Sequence, residues 1–194
     1  YHFLNEIVLT HDGGQTWSSV TIDSLENNFM MDIAASSSRV VHVIGWNSIA
    51  GGGNVFRSMD GGATWNREAA NAFKDAVSYP DGMLFFNNRD GVIFGDPTGG
   101  YFEIYITSNG GNTWMRVPSS NIPSPIAPAE AGVNLMMDHY NNTVWANTIT
   151  ALALGTRALS GSANSMVEPF IIIILHANIY CVFMRMMFVS SVFA

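Results

Sequence analysis

One short motif recurs three times and constrains the fold more than any other feature of the chain. It reads THDGGQTW at residues 10–17, SMDGGATW at 58–65 and TSNGGNTW at 107–114. The first two copies lie 48 residues apart and the last two 49, with Gly-Gly-x-Thr-Trp at the same offset each time. A fixed period of this length predicts a row of similar supersecondary units.

Each copy lies between two short apolar runs, which predicts a β-hairpin with a glycine-rich turn. An Asp or Asn in the turn can accept backbone N–H groups, and the two glycines can adopt positive φ angles. The tryptophan is expected to bury about 200 Å² between neighbouring sheets. The motif is therefore predicted to stabilise the fold through Asp12, Gly13, Gly14, Thr16 and Trp17, Asp60, Gly61, Gly62, Thr64 and Trp65, and Asn109, Gly110, Gly111, Thr113 and Trp114.

The spacing fits a four-stranded blade of a propeller. We therefore expect an all-β fold, an incomplete β-propeller of four-stranded antiparallel blades. Apolar runs between the motifs account for half a blade, two full blades and the opening strands of another, at 132–137 and 143–147. Because closed rings need roughly four to eight blades, we expect a fragment of a longer propeller, with a four-blade ring as the alternative if residues 148–194 complete it.

The composition changes after residue 147, so we divide the chain into partial propeller blades at 1–147 and an aberrant apolar tail at 148–194. Only Arg157, Glu168 and Arg185 carry charge beyond residue 143. A fourth motif would be due near residue 157, and none is present there. The run from 170 to 194 is long enough to cross a bilayer. The alternatives for this segment are a membrane anchor, a buried β segment, and translation from a shifted frame or a wrong junction. The last of these is favoured.

The pattern Ser/Thr-x-Asp-Gly-Gly-x-Thr-Trp resembles the Asp box, or bacterial neuraminidase repeat, of sialidases, sortilin-type receptors, xyloglucan-cleaving glycosidases and photosystem II assembly-factor propellers. The resemblance implies that each box joins the third and fourth strands of a blade, away from the ligand-binding face. It also implies that Asp12, Asp60 and Asn109 are not catalytic. Asn109 stands where the family has Asp, and we expect the turn to survive because Asn keeps an acceptor.

Candidate catalytic residues are few. No positions match the arginine triad or the Tyr-Glu nucleophile pair of sialidases. Glu103 and Tyr105 alternate on one strand and should share a face, as such a pair would, although cross-strand packing with Glu103 at the solvent edge is the favoured interpretation. Asp90, Asp96 and Glu103 could supply the paired carboxylates of other glycosidases, but their spacing does not establish a separation.

Asp96 follows a glycine and precedes a proline, so we interpret it as a backbone acceptor in a turn rather than as a cation ligand. We predict no catalytic, cofactor-binding or metal-binding residue, and we keep Asp96, Glu103 and Tyr105 as weak ligand-site candidates. A single cysteine, Cys181, excludes an intramolecular disulfide framework and a multi-cysteine zinc site.

The charge balance restricts the partners. With a net charge of −7 and Lys74 as the only lysine, the chain lacks the basic surface that nucleic acid requires. A membrane is an expected partner only if residues 170–194 form an anchor. The stretch GVIFGDPTGGYFEIY, at residues 91–105, resembles secreted multi-blade Asp-box proteins of Bacteroidetes-like bacteria, which implies an extracellular or cell-surface location.

Three functions remain open from the sequence. The leading hypothesis is a non-catalytic propeller that binds protein or glycan through the loops opposite the boxes. The alternative is a sialidase-like or xyloglucanase-like glycoside hydrolase fragment that lacks most of its active site. An assembly factor similar to the photosystem II propellers is the third, and it would require arginines on one face.

Overall fold

The computed structural model describes residues 6–25, 27–68, 71–122, 124–125, 130–140, 143–151, 167–175 and 181–185. These residues form four antiparallel sheets, one with two strands and three with four strands each. Short 3₁₀ turns cover Asp23–Leu25 and Ser119–Asn121. The predicted all-β architecture of four-stranded antiparallel blades is confirmed.

The first sheet is half a blade. It pairs β1 (Glu6–Leu9) with β2 (Ser18–Thr21), and the first Asp box forms the hairpin between them. This arrangement agrees with the predicted hairpin, because the two short apolar runs pair in register on either side of a glycine-rich turn.

The next two sheets are complete blades, each with its strands in chain order. In both, the Asp box joins the third strand to the short fourth strand, as the resemblance implied. Blade A, our name for the first, consists of β3 (Asn28–Ala35), β4 (Val41–Asn47), β5 (Gly53–Ser58) and β6 (Asn66–Arg67). Blade B consists of β7 (Pro80–Phe85), β8 (Gly91–Thr98), β9 (Tyr101–Thr107) and β10 (Met115–Arg116).

The first strand of blade B differs from its prediction. The sequence favoured residues 83–87, whereas β7 begins at Pro80 and ends at Phe85. Its pairing with β8 shifts register between Pro80 and Gly82, which leaves Asp81 as the extra residue of a bulge. A bulge is decided by pairing with the neighbouring strand, so the sequence did not indicate that Asp81 and Gly82 belong to β7.

The last sheet, blade C, has four strands. They are β11 (Glu130–Tyr140), β12 (Thr143–Ala151), β13 (Val167–Leu175) and β14 (Cys181–Arg185). The two predicted opening strands are present and longer than expected, and the predicted boundary at residue 148 falls inside β12. The origin of residues 148–194 stays a prediction. Residues 152–166, 176–180 and 186–194, and with them the expected fourth box position, lie outside the described residues.

Apolar cores lie between consecutive sheets. Val43 and Ile44 are adjacent on β4, yet Val43 packs towards the first hairpin and Ile44 packs towards blade B. Ile93 and Phe94 on β8 likewise enter the cores on opposite faces of blade B. Because side chains alternate along a strand and both faces of a blade are covered, these strands are almost continuously apolar. Each fully buried large side chain contributes about 1.5–3 kcal/mol.

The three box tryptophans are not equally buried, so the prediction that each one packs between sheets is wrong for the first. Trp114 is 4% exposed and belongs to the core between blades A and B. Trp65 is half-buried against the preceding core, whereas Trp17 is 62% exposed. Among the described residues no sheet precedes β1, and Trp17 Nε1 donates to the Gly14 carbonyl of its own box at 3.0 Å.

The described residues contain no helix that is both long and apolar enough to cross a membrane.

Candidate functional site

The Asp boxes are closed hydrogen-bonded turns. Asp12 Oδ1 accepts the Thr16 amide at 2.8 Å, and Asp12 Oδ2 accepts the Thr16 hydroxyl at 2.5 Å. Asp60 accepts the same two groups of Thr64 at 2.8 and 2.6 Å. These bonds to the threonine hydroxyl, then to its amide, lower the pKa of each aspartate to about 2. Both carboxylates are therefore ionised. They accept hydrogen bonds within their own turn and are not available as general acids.

The third box keeps this geometry with an asparagine. Asn109 Oδ1 accepts the Thr113 amide at 3.0 Å, while Asn109 Nδ2 donates to the Thr113 hydroxyl at 2.8 Å. The Thr107 hydroxyl donates to Asn109 Oδ1 at 3.0 Å, as Thr10 and Ser58 do to their aspartates. The turn survives the change because a carboxamide has the shape of a carboxylate and the threonine hydroxyl can accept instead of donate.

The boxes define one end of the blades. The Gly61 amide donates to the Arg39 carbonyl at 2.8 Å, and the Gly110 amide donates to the Arg89 carbonyl at 2.8 Å. Each bond ties a box to the turn between the first and second strands of its own blade. The turns between β4 and β5 and between β8 and β9 consequently lie at the opposite end, which we call the loop face.

His42 on β4 lies under the third box. It is buried, and its ring stacks on Phe85 with centroids 4.7 Å apart. Burial, and then the nearby Arg57 charge, lower its pKa to about 4. The contact joins blade A to blade B through a neutral imidazole.

Acidification should therefore weaken the fold through His42. The folded state binds this proton only near pH 4, whereas the unfolded chain binds it near pH 6.5, so stability is complete above pH 6.5 and falls as the pH drops below it. We expect a loss of about 2 kcal/mol by pH 5. Urea unfolding at pH 7 and 5 should show a smaller loss for His42→Leu than for the parent, and an equal loss would contradict the assignment.

Glu103 and Tyr105 share a face of β9, as predicted, but the expectation that Glu103 lies at the solvent edge is wrong. Glu103 is 1% exposed and Tyr105 is 4% exposed. The Tyr105 hydroxyl donates a hydrogen bond to Glu103 Oε1 at 3.1 Å and accepts one from the Phe73 amide at 3.1 Å. The Arg116 guanidinium lies 3.3 Å from the same Glu103 oxygen. The position is buried because the segment around Phe73 covers the strand, and the buried carboxylate is compensated by Arg116.

Asp90 and Asp96 do not form the pair that a glycosidase needs. Asp90 precedes β8 at the box end, and Asp96 lies six residues later, at the loop face. A strand of that length separates them by about 20 Å, whereas glycosidase carboxylates lie about 5–10 Å apart. Asp96 is a backbone acceptor, but the prediction that it acts within a turn is wrong: it lies on β8, and its Oδ1 accepts the Gly132 amide of the next blade at 2.7 Å.

Asp96 does have an acidic neighbour, Asp81, which the sequence analysis missed. Asp81 is 1% exposed and hydrogen-bonds to Asp96. Burial, and then the Asp96 charge, raise the pKa of Asp81 to about 8, and burial also raises the pKa of Asp96. The two carboxyls therefore share a proton at neutral pH. The only available signal was Asp81 itself, beside a glycine in an apolar strand.

Asp32, like Asp96, lies at the contact between two blades. It lies on β3 of blade A, and its Oδ2 accepts the Met83 amide of blade B at 2.8 Å. Burial raises its pKa. Asp32 and Asp96 thus each accept an amide from the next blade, which indicates that these carboxyl groups hold neighbouring blades in register.

The loop face carries exposed apolar groups. Phe29 stacks on Trp46 with centroids 5.6 Å apart, and Trp46 contacts Tyr79 at 5.3 Å. We call these three residues the aromatic strip. On the same face Ile49 is 77% exposed and Val77 is 72% exposed. Within the aromatic strip Phe29 is exposed, whereas Trp46 and Tyr79 are half-buried. Partly exposed aromatic groups on the same face as exposed aliphatic groups are typical of a binding surface.

Two cavities open beside this face, one in each complete blade. The cavity of blade A has a volume of about 530 Å³ and includes Asn54, Arg67 and Lys74 in its wall. The cavity of blade B has a volume of about 440 Å³ and includes Arg116. Arg67 and Arg116 occupy the same position of β6 and β10, so the cavities repeat with the blades. Both volumes are within the range of small-ligand sites.

Nothing in the described residues brings three His, Cys, Asp or Glu side chains together as a metal site would require.

The comparisons with known proteins agree with this architecture. The family described as "Photosynthesis system II assembly factor YCF48" matches residues 9–132, which include all three boxes and blades A and B. No curated protein matches the chain. The matched segment covers more than half of the sequence, and its BNR-repeat propeller architecture agrees with the antiparallel blades of the structure. The chain belongs to the Photosynthesis system II assembly factor YCF48 family of BNR-repeat β-propellers.

Proposed function

We propose that this chain is a non-catalytic propeller that binds a protein partner through its loop face, with a glycan as the second candidate ligand. The single observation that carries the proposal is the aromatic strip, flanked by the exposed Ile49 and Val77. Such groups are hydrated in the free protein, and a partner that covers them gains the free energy of their burial.

The alternative, a glycoside hydrolase, has less support. The Glu103–Tyr105 pair resembles a nucleophile pair in composition, but both side chains are buried. Glu103 Oε1 pairs with Arg116, and the Tyr105 hydroxyl bonds to Glu103 and to the Phe73 amide. A nucleophile must reach the anomeric carbon of its substrate, and these groups would have to leave the core to do so. Their contacts account for them as structural residues.

The family description supports a binding role, because it names an assembly factor. The repeated Arg67 and Arg116 also agree with the arginines that the assembly-factor hypothesis requires on one face. The resemblance of residues 91–105 to secreted Asp-box proteins supports a partner met outside the cell or at a bacterial cell surface. The proposal therefore names an extracellular or surface protein as the partner.

The proposal is tested by placing a charge on each face in turn. Proteins that crosslink to the immobilised chain are identified, and the dissociation constant of the purified partner is then measured. Ile49→Asp and Val77→Asp are each expected to raise that constant about tenfold or more, because a buried charge replaces an apolar contact. Both side chains are mostly exposed in the free chain, so the variants should fold normally.

Met59→Asp is the matched control. Met59 is 58% exposed and lies in the second box, at the opposite end of blade A. Its substitution should leave the affinity unchanged, and an equal loss would place the partner on the box face and contradict the proposal. A glycan array probed with the same variants tests the second ligand class. Hydrolysis of fluorogenic glycosides that Glu103→Gln abolishes would establish the hydrolase instead.

A further inference from the structure

The third box contains a chemical feature that its function as a turn does not use. Asn109 precedes Gly110, and in this chain no other asparagine precedes a glycine. An asparagine followed by glycine is the pair in which the following amide nitrogen attacks the side-chain carbonyl most readily, because glycine has no Cβ to hinder it. The side chain is also exposed to solvent, so water is available for the hydrolysis that completes the reaction.

We propose that Asn109 is a site of spontaneous deamidation, that the folded turn restrains the reaction, and that its α-aspartyl product is a complete acidic Asp box. The Gly110 nitrogen bonds to Asn109 Cγ and ammonia leaves, which gives a succinimide. Water then opens the ring. Asparagine and water are converted to aspartate and ammonia, with no oxidant or enzyme.

The folded turn opposes the first step. The Gly110 amide donates to the Arg89 carbonyl at 2.8 Å, so the attacking nitrogen is held in a hydrogen bond. The Asn109 carboxamide is also held, by the Thr107 hydroxyl and by the amide and hydroxyl of Thr113. Ring closure requires these bonds to break, and the reaction rate is therefore set by local opening of the box.

The same turn favours the α-aspartyl product. In the first two boxes Asp12 and Asp60 occupy the equivalent position with the same heavy-atom contacts, so an aspartate in the third box would need only a rotation of the Thr113 hydroxyl. Two guanidinium groups also contact this loop, since Arg89 donates to the Ser108 carbonyl and Arg57 donates to Asn112. A new negative charge on residue 109 would lie in a loop that two cationic side chains contact, of which Arg57 also pairs with Glu68 at 2.7 Å.

The β-linked product has a different fate. Opening of the succinimide at its other carbonyl inserts a methylene group into the main chain. The box depends on two successive glycines at φ angles of 69° and 82° and on a bond from the Gly111 amide to Thr107 at 3.0 Å. An added backbone atom would break this register. The fold therefore accommodates one product of the reaction and not the other.

The test measures deamidation by mass spectrometry of the peptide that spans residue 109. The full chain is incubated at pH 8 in buffer and in urea that unfolds it, with heavy-oxygen water to mark succinimide hydrolysis. We expect the folded chain to react at least about tenfold more slowly than the unfolded chain. Thr113→Val, which removes the hydroxyl that anchors Asn109 Nδ2, should accelerate the folded reaction severalfold. Equal rates in buffer and urea would overturn the proposal.

The product is tested separately with Asn109→Asp. This variant should fold and raise Tm by about 2–4 °C, since charge-assisted bonds replace neutral ones. Chains reacted in buffer should contain mainly α-aspartate after removal of unfolded material, whereas chains reacted in urea should also contain the β-linked form. A lower Tm for Asn109→Asp, or folded chains rich in the β-linked form, would show that the turn does not select the acidic box.

Discussion

Gly111→Ala is expected to lower the free energy of unfolding by about 3 kcal/mol, the largest loss among the glycines at this position of the three boxes. Gly111 has a φ of 82°, which costs an alanine about 1–2 kcal/mol. Its Cβ would also overlap the buried imidazole of His42, which is stacked on Phe85 and cannot move aside. Overpacking of a rigid core group adds about 1–3 kcal/mol.

The first two boxes supply matched controls. At Gly14 a Cβ would meet only Trp17, at 3.5 Å, and at Gly62 it would meet the flexible end of Leu9, at 2.9 Å. Because both have positive φ angles, their alanine variants share the backbone strain but differ in packing. Urea unfolding should therefore give the order Gly111, Gly62, Gly14 from largest to smallest loss. Three equal losses would show that backbone strain alone matters.

Asp81→Asn should stabilise the protein at pH 8 by up to about 5 kcal/mol, the free energy that corresponds to the difference in the pKa of Asp81 between the folded and unfolded states. The pKa of Asp81 is raised from 3.8 to about 8, so the folded state keeps a proton that the unfolded chain releases. The parent therefore loses stability as the pH rises from about 4 to 8. Asparagine does not titrate, and its amide can donate to Asp96 as the protonated carboxyl does.

Urea unfolding across pH 4–8 tests this pH dependence. The difference between Asp81→Asn and the parent should be small near pH 4 and grow to a maximum near pH 8. Asp60→Asn is the control of opposite sign, because the pKa of Asp60 is lowered to about 2 and its carboxylate stabilises the box when ionised. That variant should be less stable than the parent above pH 4. A pH-independent gain for Asp81→Asn would contradict the shared proton.

The local features of the fold were predictable from the sequence. The Asp boxes depend on hydrogen bonds between residues two to four positions apart, as between Asp12 and Thr16, so the sequence alone specifies them. Asn109 was correctly expected to preserve its turn for the same reason. The alternation that placed Glu103 and Tyr105 on one face is likewise a local property of a strand.

Contacts between blades were decided only by the tertiary structure. Glu103 is buried because the segment around Phe73 covers its strand. Asp81 and Asp96 share a proton because a bulge in β7 brings them together. The exposure of Trp17 depends on which sheets flank it. Each involves residues distant in sequence or the surroundings of a whole sheet, which a repeat of 48 or 49 residues does not specify. The sequence by itself determined the blade and its turns, whereas packing of blade on blade determined which polar groups are buried and which aromatic groups face water.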